Sequence, residues 1–320
     1  MDIRNKILLA FLVSTLISIF LGNFVIKKLR KMHIGQEIRD DGPKTHFSKA
    51  GTPTMGGIIF VITILVTLLI FKAFSKESAI GVFGMLAFGM IGFIDDFKKL
   101  VMKRSLGLTE KQKIIFQFVF AIVACIFIKA MNPDFSKQVI PFLGKTVNLG
   151  FFIYPFLIFV FIGTVNATNL TDGLDGLLTT VSLPIFLALS IIFLTISIEI
   201  SSFCAIFAGS LLGFYVYNSN PARVFMGDTG SMAIGGALAL IMAYKGMIFY
   251  LLILGAIYVI EAMSVIIQVA SYKLRNKKRV FLMSPIHHHY ELKGYPEQKI
   301  VAVFSVISAL LSVLTVIDFM

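Results

Sequence analysis

The chain has 320 residues, of which 57% are hydrophobic and 14% charged, and it carries a formal net charge of +12. A soluble domain carries about 25% charged residues. With a mean hydropathy of +0.89 there is more apolar surface here than a water-facing fold can hide, so the composition excludes a soluble globular protein and predicts an all-α integral membrane protein. The charge needs no nucleic acid partner, because basic cytoplasmic loops and anionic lipid headgroups account for it. Two cysteines, Cys125 and Cys204, lie in apolar segments and form neither a metal-ligand spacing nor a disulfide framework. They read as buried, inert thiols.

The first residues, Met1 to Lys6, lead into a long apolar run with no small-residue cleavage site, which predicts a first transmembrane helix and not a signal peptide. A bilayer core takes roughly 20 apolar residues per helix. About ten such spans follow, at 7–26, 57–74, 78–94, 113–131, 151–168, 177–197, 201–218, 230–245, 247–270 and 300–318; that at 230–245 is short and Gly-rich. Basic or polar loops at 27–56, 95–112, 169–176, 219–229 and 271–299 alternate with short ones at Ser75–Glu77, Ile198–Ile200 and Gly246. Positive loops favour the cytoplasm, so these five are predicted to face it and to build one active site on a single polytopic domain, 1–320, with both termini outside. The long outer loop, 132–150, holds Val139–Phe142 and Thr146–Leu149 around Leu143-Gly144-Lys145, a pattern that fits a small hairpin.

Polar chemistry collects on the predicted cytoplasmic side. Asp95-Asp96 closes the third span, where a helix C-terminus disfavours acids. A divalent cation or nearby lysines must compensate, unless the pair is simply a solvated helix end. Asn169-Leu-Thr-Asp172-Gly-Leu-Asp175-Gly and Met226-Gly-Asp228-Thr-Gly-Ser read either as turns and a helix cap or as places where backbone N–H groups approach phosphate. His287-His288-His289 lies in Ser284-Pro-Ile-His-His-His-Tyr. Adjacent imidazoles point in different directions, so they suit hydrogen bonding to polar groups better than one shared ion. Glu261, Ser264 and Gln268, at i, i+3 and i+7, share a face of the ninth span; Glu261 is either functional or a buried tie to a neighbouring helix. Gly81, Gly84, Gly89 and Gly92 on the third span predict close helix packing. Carboxylates, lysines and a membrane together suggest phosphate chemistry with Mg²⁺.

These motifs, in this order over nearly the whole chain, with Asn220-Pro-Ala-Arg before Val-Phe-Met-Gly-Asp228, resemble the polyprenyl-phosphate N-acetylhexosamine-1-phosphate transferases. Lys49-Ala-Gly-Thr-Pro-Thr54-Met-Gly-Gly and His-His-His-Tyr-Glu-Leu are closest to the branch that handles a pentapeptide-bearing muramoyl sugar. The resemblance implies a multi-pass enzyme of the bacterial plasma membrane with ten helices, a cytoplasmic active site, Mg²⁺ and a homodimer. Its donor would be UDP-N-acetylmuramoyl-pentapeptide and its acceptor undecaprenyl phosphate, within membrane lipid; the products would be undecaprenyl-pyrophosphoryl-N-acetylmuramoyl-pentapeptide (lipid I) and UMP, in peptidoglycan synthesis.

By the same resemblance Asp228 matches the Mg²⁺ ligand, and Asp95 and Asp96 the catalytic pair. Lys113, with Lys111 as the other candidate, matches a basic residue near the phosphates. Asn169, Asp172, Asp175, Asn218 and Phe225 match the nucleoside pocket, with Phe225 stacking on uracil. Lys49, Thr54, Gln268, His287, His288 and His289 match substrate-binding groups around the sugar. Two mechanisms stay open: direct attack of the lipid phosphate on the β-phosphorus, or a phosphorylated carboxylate intermediate. An N-acetylglucosamine-1-phosphate donor and a secondary transporter are the alternative functions. The transporter would place its acids near the bilayer midplane, whereas here only Glu261 lies deep.

Overall fold

A computed structural model describes residues 2–31, 51–101 and 107–320; Lys49, His33 and His46 lie outside the described residues. The fold is an all-α bundle. Its principal helices are α1 (Ile3–Lys31), α2 (Gly57–Ile70), α3 (Ser78–Val101), α4 (Glu110–Met131), α5 (Ile153–Thr171), α6 (Leu177–Phe193), α7 (Ile198–Asn218) and α8 (Gly227–Tyr244). After these come the one-turn α9 (Leu251–Leu254), α10 (Ala256–Leu274), the short α11 (Ile286–Leu292) and α12 (Glu297–Asp318). Seven helices (α1, α3, α4, α5, α7, α10 and α12) are long and apolar enough to cross a membrane by length and composition. α1 turns Leu8, Leu12, Leu16, Phe20 and Phe24 outward, as a lipid-facing helix should.

The core is organised around α8, whose residues from Thr229 to Tyr244 are all buried. A helix apolar on every side belongs in the interior. Glycine lets its neighbours close in. On α3, a Cβ at Gly84 would lie 2.4 Å from the Gly236 carbonyl oxygen, and one at Gly92 would lie 2.1 Å from that of Asp228. The two helices therefore run antiparallel at backbone contact. α1 packs on α7 at similar close range but parallel, with Ser14 Oγ donating to Ile206 O at 2.7 Å and Ser18 Oγ to Ser210 O at 2.8 Å. Such small and hydroxylated residues replace the hydrophobic drive that lipid cannot supply between helices.

One end of the bundle carries the hairpin, β1 (Lys137–Ile140) paired antiparallel with β2 (Lys145–Asn148), Ile140 opposite Lys145. Val139 N donates to Gly246 O at 2.7 Å and Phe142 N to the Asp318 carboxylate at 2.9 Å. Lys245 meets Glu77 at 2.7 Å at this end, and Ile3 and Ile7 line a cavity there with Phe71, Ser75 and Ile198. The described ends of the chain thus share the hairpin's side, and the Asp95–Asp228 contacts lie at the other.

Several boundaries differ from the sequence reading. The ninth predicted span is broken: a 3-10 turn at Ile248–Tyr250 and α9 precede Gly255, where α10 begins afresh. A Cβ at Gly255 would lie 2.7 Å from Leu251 O, so the break needs glycine. α3 runs on to Val101 and places Asp95-Asp96 inside the helix instead of at its end. α8 starts at Gly227, so Asp228 occupies its first turn. The loop 271–299 contains α11.

If the α3–α8 contact sets the fold, Gly92→Ala forces backbone apart and costs about 1–3 kcal/mol or more. Gly163→Ala, where nothing lies within 4 Å of the added methyl group, should leave the melting temperature in detergent unchanged. Equal melting temperatures for the two variants would contradict the packing.

Candidate active site

The carboxylate pair near the end of α3 finds its compensation on α8. Asp96 accepts hydrogen bonds from Thr229 N at 2.9 Å, Thr229 Oγ1 at 2.7 Å and Asp228 N at 3.3 Å. It therefore caps the α8 N-terminus from another helix, where free N–H groups and the dipole favour an anion. That external cap explains why Gly-Asp-Thr-Gly-Ser is helical and not a turn. Gly227, at φ +75°, makes the entry, with Asp96 Oδ2 2.7 Å from where its Cβ would be.

Asp95 is fully buried. Its Oδ1 accepts from Leu108 N at 2.7 Å, and its Oδ2 lies 2.6 Å from Lys99 Nζ and 3.0 Å from Lys113 Nζ. Lys113 also reaches Asp228 Oδ2 at 2.5 Å, with Lys99 at 3.6 Å, while Asn169 Nδ2 donates to Asp228 Oδ1 at 2.9 Å and to Ser231 Oγ at 2.9 Å. Of the two candidate lysines, Lys113 is the one at the carboxylates. Lys113 stands in the first turn of α4, which Thr109 starts with a capping box through Gln112.

Asp95, Asp96 and Asp228 each offer an oxygen within 4.8 Å of the others. Hard carboxylate oxygens in that number fit Mg²⁺, which takes one or two carboxylates and fills the rest of its shell with phosphate and water. Asp96 is committed to α8 and Asp95 to Leu108 N and the two lysines, so the more exposed Asp228 is the carboxylate best placed for a cation.

Thr54 and Phe225 flank this centre. Residues 53–57 run beside 224–226, with Phe225 N donating to Pro53 O at 2.8 Å and Gly56 N to Phe225 O at 2.8 Å. Thr54 Oγ1 lies 2.8 Å from where a Gly227 Cβ would be. Phe225 is partly exposed, so its ring has an open face.

Asp172 is partly buried just beyond α5. Loss of water, then the charges of Asp228 and Asp96, holds its carboxyl well above the usual carboxylate range. Asp175 and Asn218 lie deeper. Asp175 accepts from Asn220 Nδ2 at 3.1 Å and Ala222 N at 3.0 Å, and its own N–H donates to Glu297 at 2.6 Å. Asn218 accepts from Thr179 Oγ1 at 2.7 Å and donates to Val224 O at 3.1 Å. Both brace the 219–226 loop.

Gln268 is occupied by backbone: it donates to Phe281 O at 2.8 Å and accepts from Val280 N and Phe281 N, both at 3.0 Å. The three histidines differ. His287 is fully buried, its Nδ1 3.0 Å from Glu261 Oε2. His288 Nδ1 lies 2.6 Å from Glu291. His289 Nδ1 accepts from Leu282 N at 3.1 Å, so that ring is neutral; burial and then Lys293 lower its pKa. Their anchoring to three different partners agrees with imidazoles that point in different directions.

Sequence reasoning passed over Lys99, Thr229, Asn220 and Glu297 as site residues. Lys99 was findable, four residues after Asp95 on one helix face. Glu297 carries no such signal, being joined to Asp175 only by the fold.

Asp172 gives a pH test. A carboxyl whose folded pKa is raised binds a proton that the unfolded chain releases, so it costs stability as pH rises above the unfolded value, about 4. Asp172→Asn should therefore melt above the parent at about pH 8, with the gap closing towards about pH 4. A gap that widens in acid would reverse the sign and contradict the assignment.

Known proteins resemble this chain along nearly its whole length. The model of glycosyl transferase family 4 matches residues 78–246, which carry Asp95, Asp96, Lys113, Asn169 and Asp228. The phospho-N-acetylmuramoyl-pentapeptide-transferase signature 1 matches residues 49–61. The phospho-N-acetylmuramoyl-pentapeptide-transferase of Caldanaerobacter subterraneus subsp. tengcongensis is 49% identical over 302 residues, 94% of each chain. Those of Clostridium novyi, at 45% over 94% of this chain and 93% of the relative, and Clostridium perfringens, at 44% over 96% of each, carry the same name. Identity at that level along nearly the whole length, with the family's matched segment enclosing the buried carboxylates and their lysine, places this chain in the phospho-N-acetylmuramoyl-pentapeptide-transferase family of glycosyl phosphotransferases.

Proposed function

We propose that the protein transfers phospho-N-acetylmuramoyl-pentapeptide from UDP-N-acetylmuramoyl-pentapeptide to undecaprenyl phosphate, giving lipid I and UMP, with Mg²⁺ as cofactor. The observation that carries the reading is the junction of Asp95, Asp228, Lys99 and Lys113 at one end of the bundle, where an acceptor phosphate held at the membrane edge meets a water-soluble donor. The adjoining described segments are basic, with Lys28, Arg30 and Lys31 ending α1 and Lys273, Arg275, Lys277 and Lys278 closing and following α10. That bias supports a cytoplasmic site in the bacterial plasma membrane. A homodimer belongs to the same reading.

In this mechanism an oxygen of the lipid phosphate attacks the β-phosphorus of the donor. A new P–O bond forms, the bond to the bridging oxygen breaks, and its electrons leave with UMP. A phosphate monoester loses its second proton at about pH 6, so the acceptor arrives largely as a dianion and needs orientation more than a base. Asp95 supplies it by holding Lys99 and Lys113 in a fixed pose, and the two ammoniums neutralise charge on the reacting oxygens. Mg²⁺, when held by Asp228, would neutralise the diphosphate further. Asn169 keeps Asp228 in place, Asp96 holds the turn that presents it, and the partly exposed Phe225 is the candidate to stack on the uracil.

The test is UMP release by purified protein in micelles. Asp228→Asn and Lys113→Met should each lower kcat by about 10²–10³-fold, and chelation should stop turnover until Mg²⁺ is restored. Near-parental activity of Asp228→Asn rejects the metal assignment. Capture of a phosphorylated aspartate would instead establish the two-step route.

A further inference from the structure

We propose that Glu261 is a positioning residue for donor binding, holding the Asp172–Asp175 loop through His287 without touching substrate. The inference rests on the reading of the site given above.

Glu261 and His287 are both fully buried, and Glu261 Oε2 lies 3.0 Å from His287 Nδ1. Neither side chain makes a hydrogen bond among the described residues, so their 3.0 Å approach is a close polar contact and not a formed hydrogen bond. An ionisable group away from water is tolerated when it is paired, so each depends on the other for its place. The far side of the ring meets the site. A Cβ at Gly173 would lie 2.1 Å from His287 Nε2 and 2.6 Å from Cε1. Gly173 follows Asp172 directly, and Asp172 faces Asp228 closely enough for their charges to interact. The imidazole therefore stands as a spacer between α10 and the loop. Rotating it, or thickening the loop at Gly173, must move Asp172.

The rest of α10's buried face holds a different segment, the one that leads from α10 to His287. Ser271 Oγ donates to Lys278 O at 2.8 Å and Gln268 grips Val280 and Phe281. Glu261, Ser264, Gln268 and Ser271 are the polar members of that face. The first three are a face legible in the sequence; what they hold is not. His287 is buried too deeply to meet a donor, which moves it from contact to support.

The test measures kcat, the KM of UDP-N-acetylmuramoyl-pentapeptide and the KM of undecaprenyl phosphate, with donor affinity read separately by calorimetry. Glu261→Ala and Gly173→Ala should each raise donor KM and Kd about tenfold while kcat and acceptor KM stay within about twofold. Glu261→Gln keeps the volume and a polar oxygen beside the imidazole and should lie near the parent. Glu261→Ala combined with His287→Ala should be no worse than the worse single change, because the pair acts as a unit. If Glu261→Ala does not fold, Gly173→Ala and Glu261→Gln decide. Parental donor KM in a folded Gly173→Ala protein overturns the proposal, as does a common fall in kcat and both affinities. A parent protein that neither binds nor turns over the donor overturns the transferase reading as well; a parent that does both, with unaffected variants, overturns this proposal alone.

Discussion

Gly92 meets the Asp228 carbonyl at a distance that leaves no room for a side chain, and the site depends on that crossing. Backbone contact between antiparallel α3 and α8 sets the start of α8 against the interior of α3's last third. A helix N-terminus welcomes a carboxylate. Asp96 reaches across from α3 to cap α8. Once it is committed there, Asp95 and Asp228 are held in range of each other, and Lys99 and Lys113 close over them. A methyl group at position 92 would act on all these distances together.

The charge pattern follows from that geometry. Asp95, Asp96, Asp172 and Asp228 crowd one end of the bundle, and their surroundings differ residue by residue: N–H groups face Asp96 and ammoniums face Asp95 and Asp228, while burial and the neighbouring carboxylates hold the Asp172 carboxyl well above the usual range. A site so arranged is already organised for anionic oxygen. The lysines that neutralise carboxylates in the protein alone are equally able to turn to phosphate, since an ammonium is a compact charge on a flexible stem.

Much of this was legible in the sequence, and the failures have physical causes. The all-helical membrane class, the hairpin and the grouping of polar motifs followed from hydropathy and basic loops, because a bilayer leaves few ways to satisfy a backbone. The glycines of α3 announced close packing. The helix ends did not follow: Gly-Asp-Thr-Gly-Ser reads locally as a turn and becomes helical because Asp96, from another helix, supplies the missing cap. Gly255 breaks a span whose hydropathy is continuous, and hydropathy cannot register a kink. Among site residues, Lys99 was available from i, i+4 spacing, whereas Glu297 becomes visible only when the last helix lies against the Asp175 loop.

The histidine triplet shows why residue type alone assigns contact poorly. Three identical side chains in sequence take three environments: one sealed against Glu261, one beside Glu291, one accepting from a backbone N–H. Gln268, Asn218 and Asp175 likewise have the chemistry to bind a polar substrate, yet direct it at the backbone of loops that border the site. The carboxylates and lysines to which the proposed mechanism gives charge chemistry are few and sit on helices. Loops must receive the large polar donor, and loops lack intrinsic rigidity. A second layer of buried polar side chains, each satisfied by the loop it grips, supplies the stiffness that helices give the reacting centre.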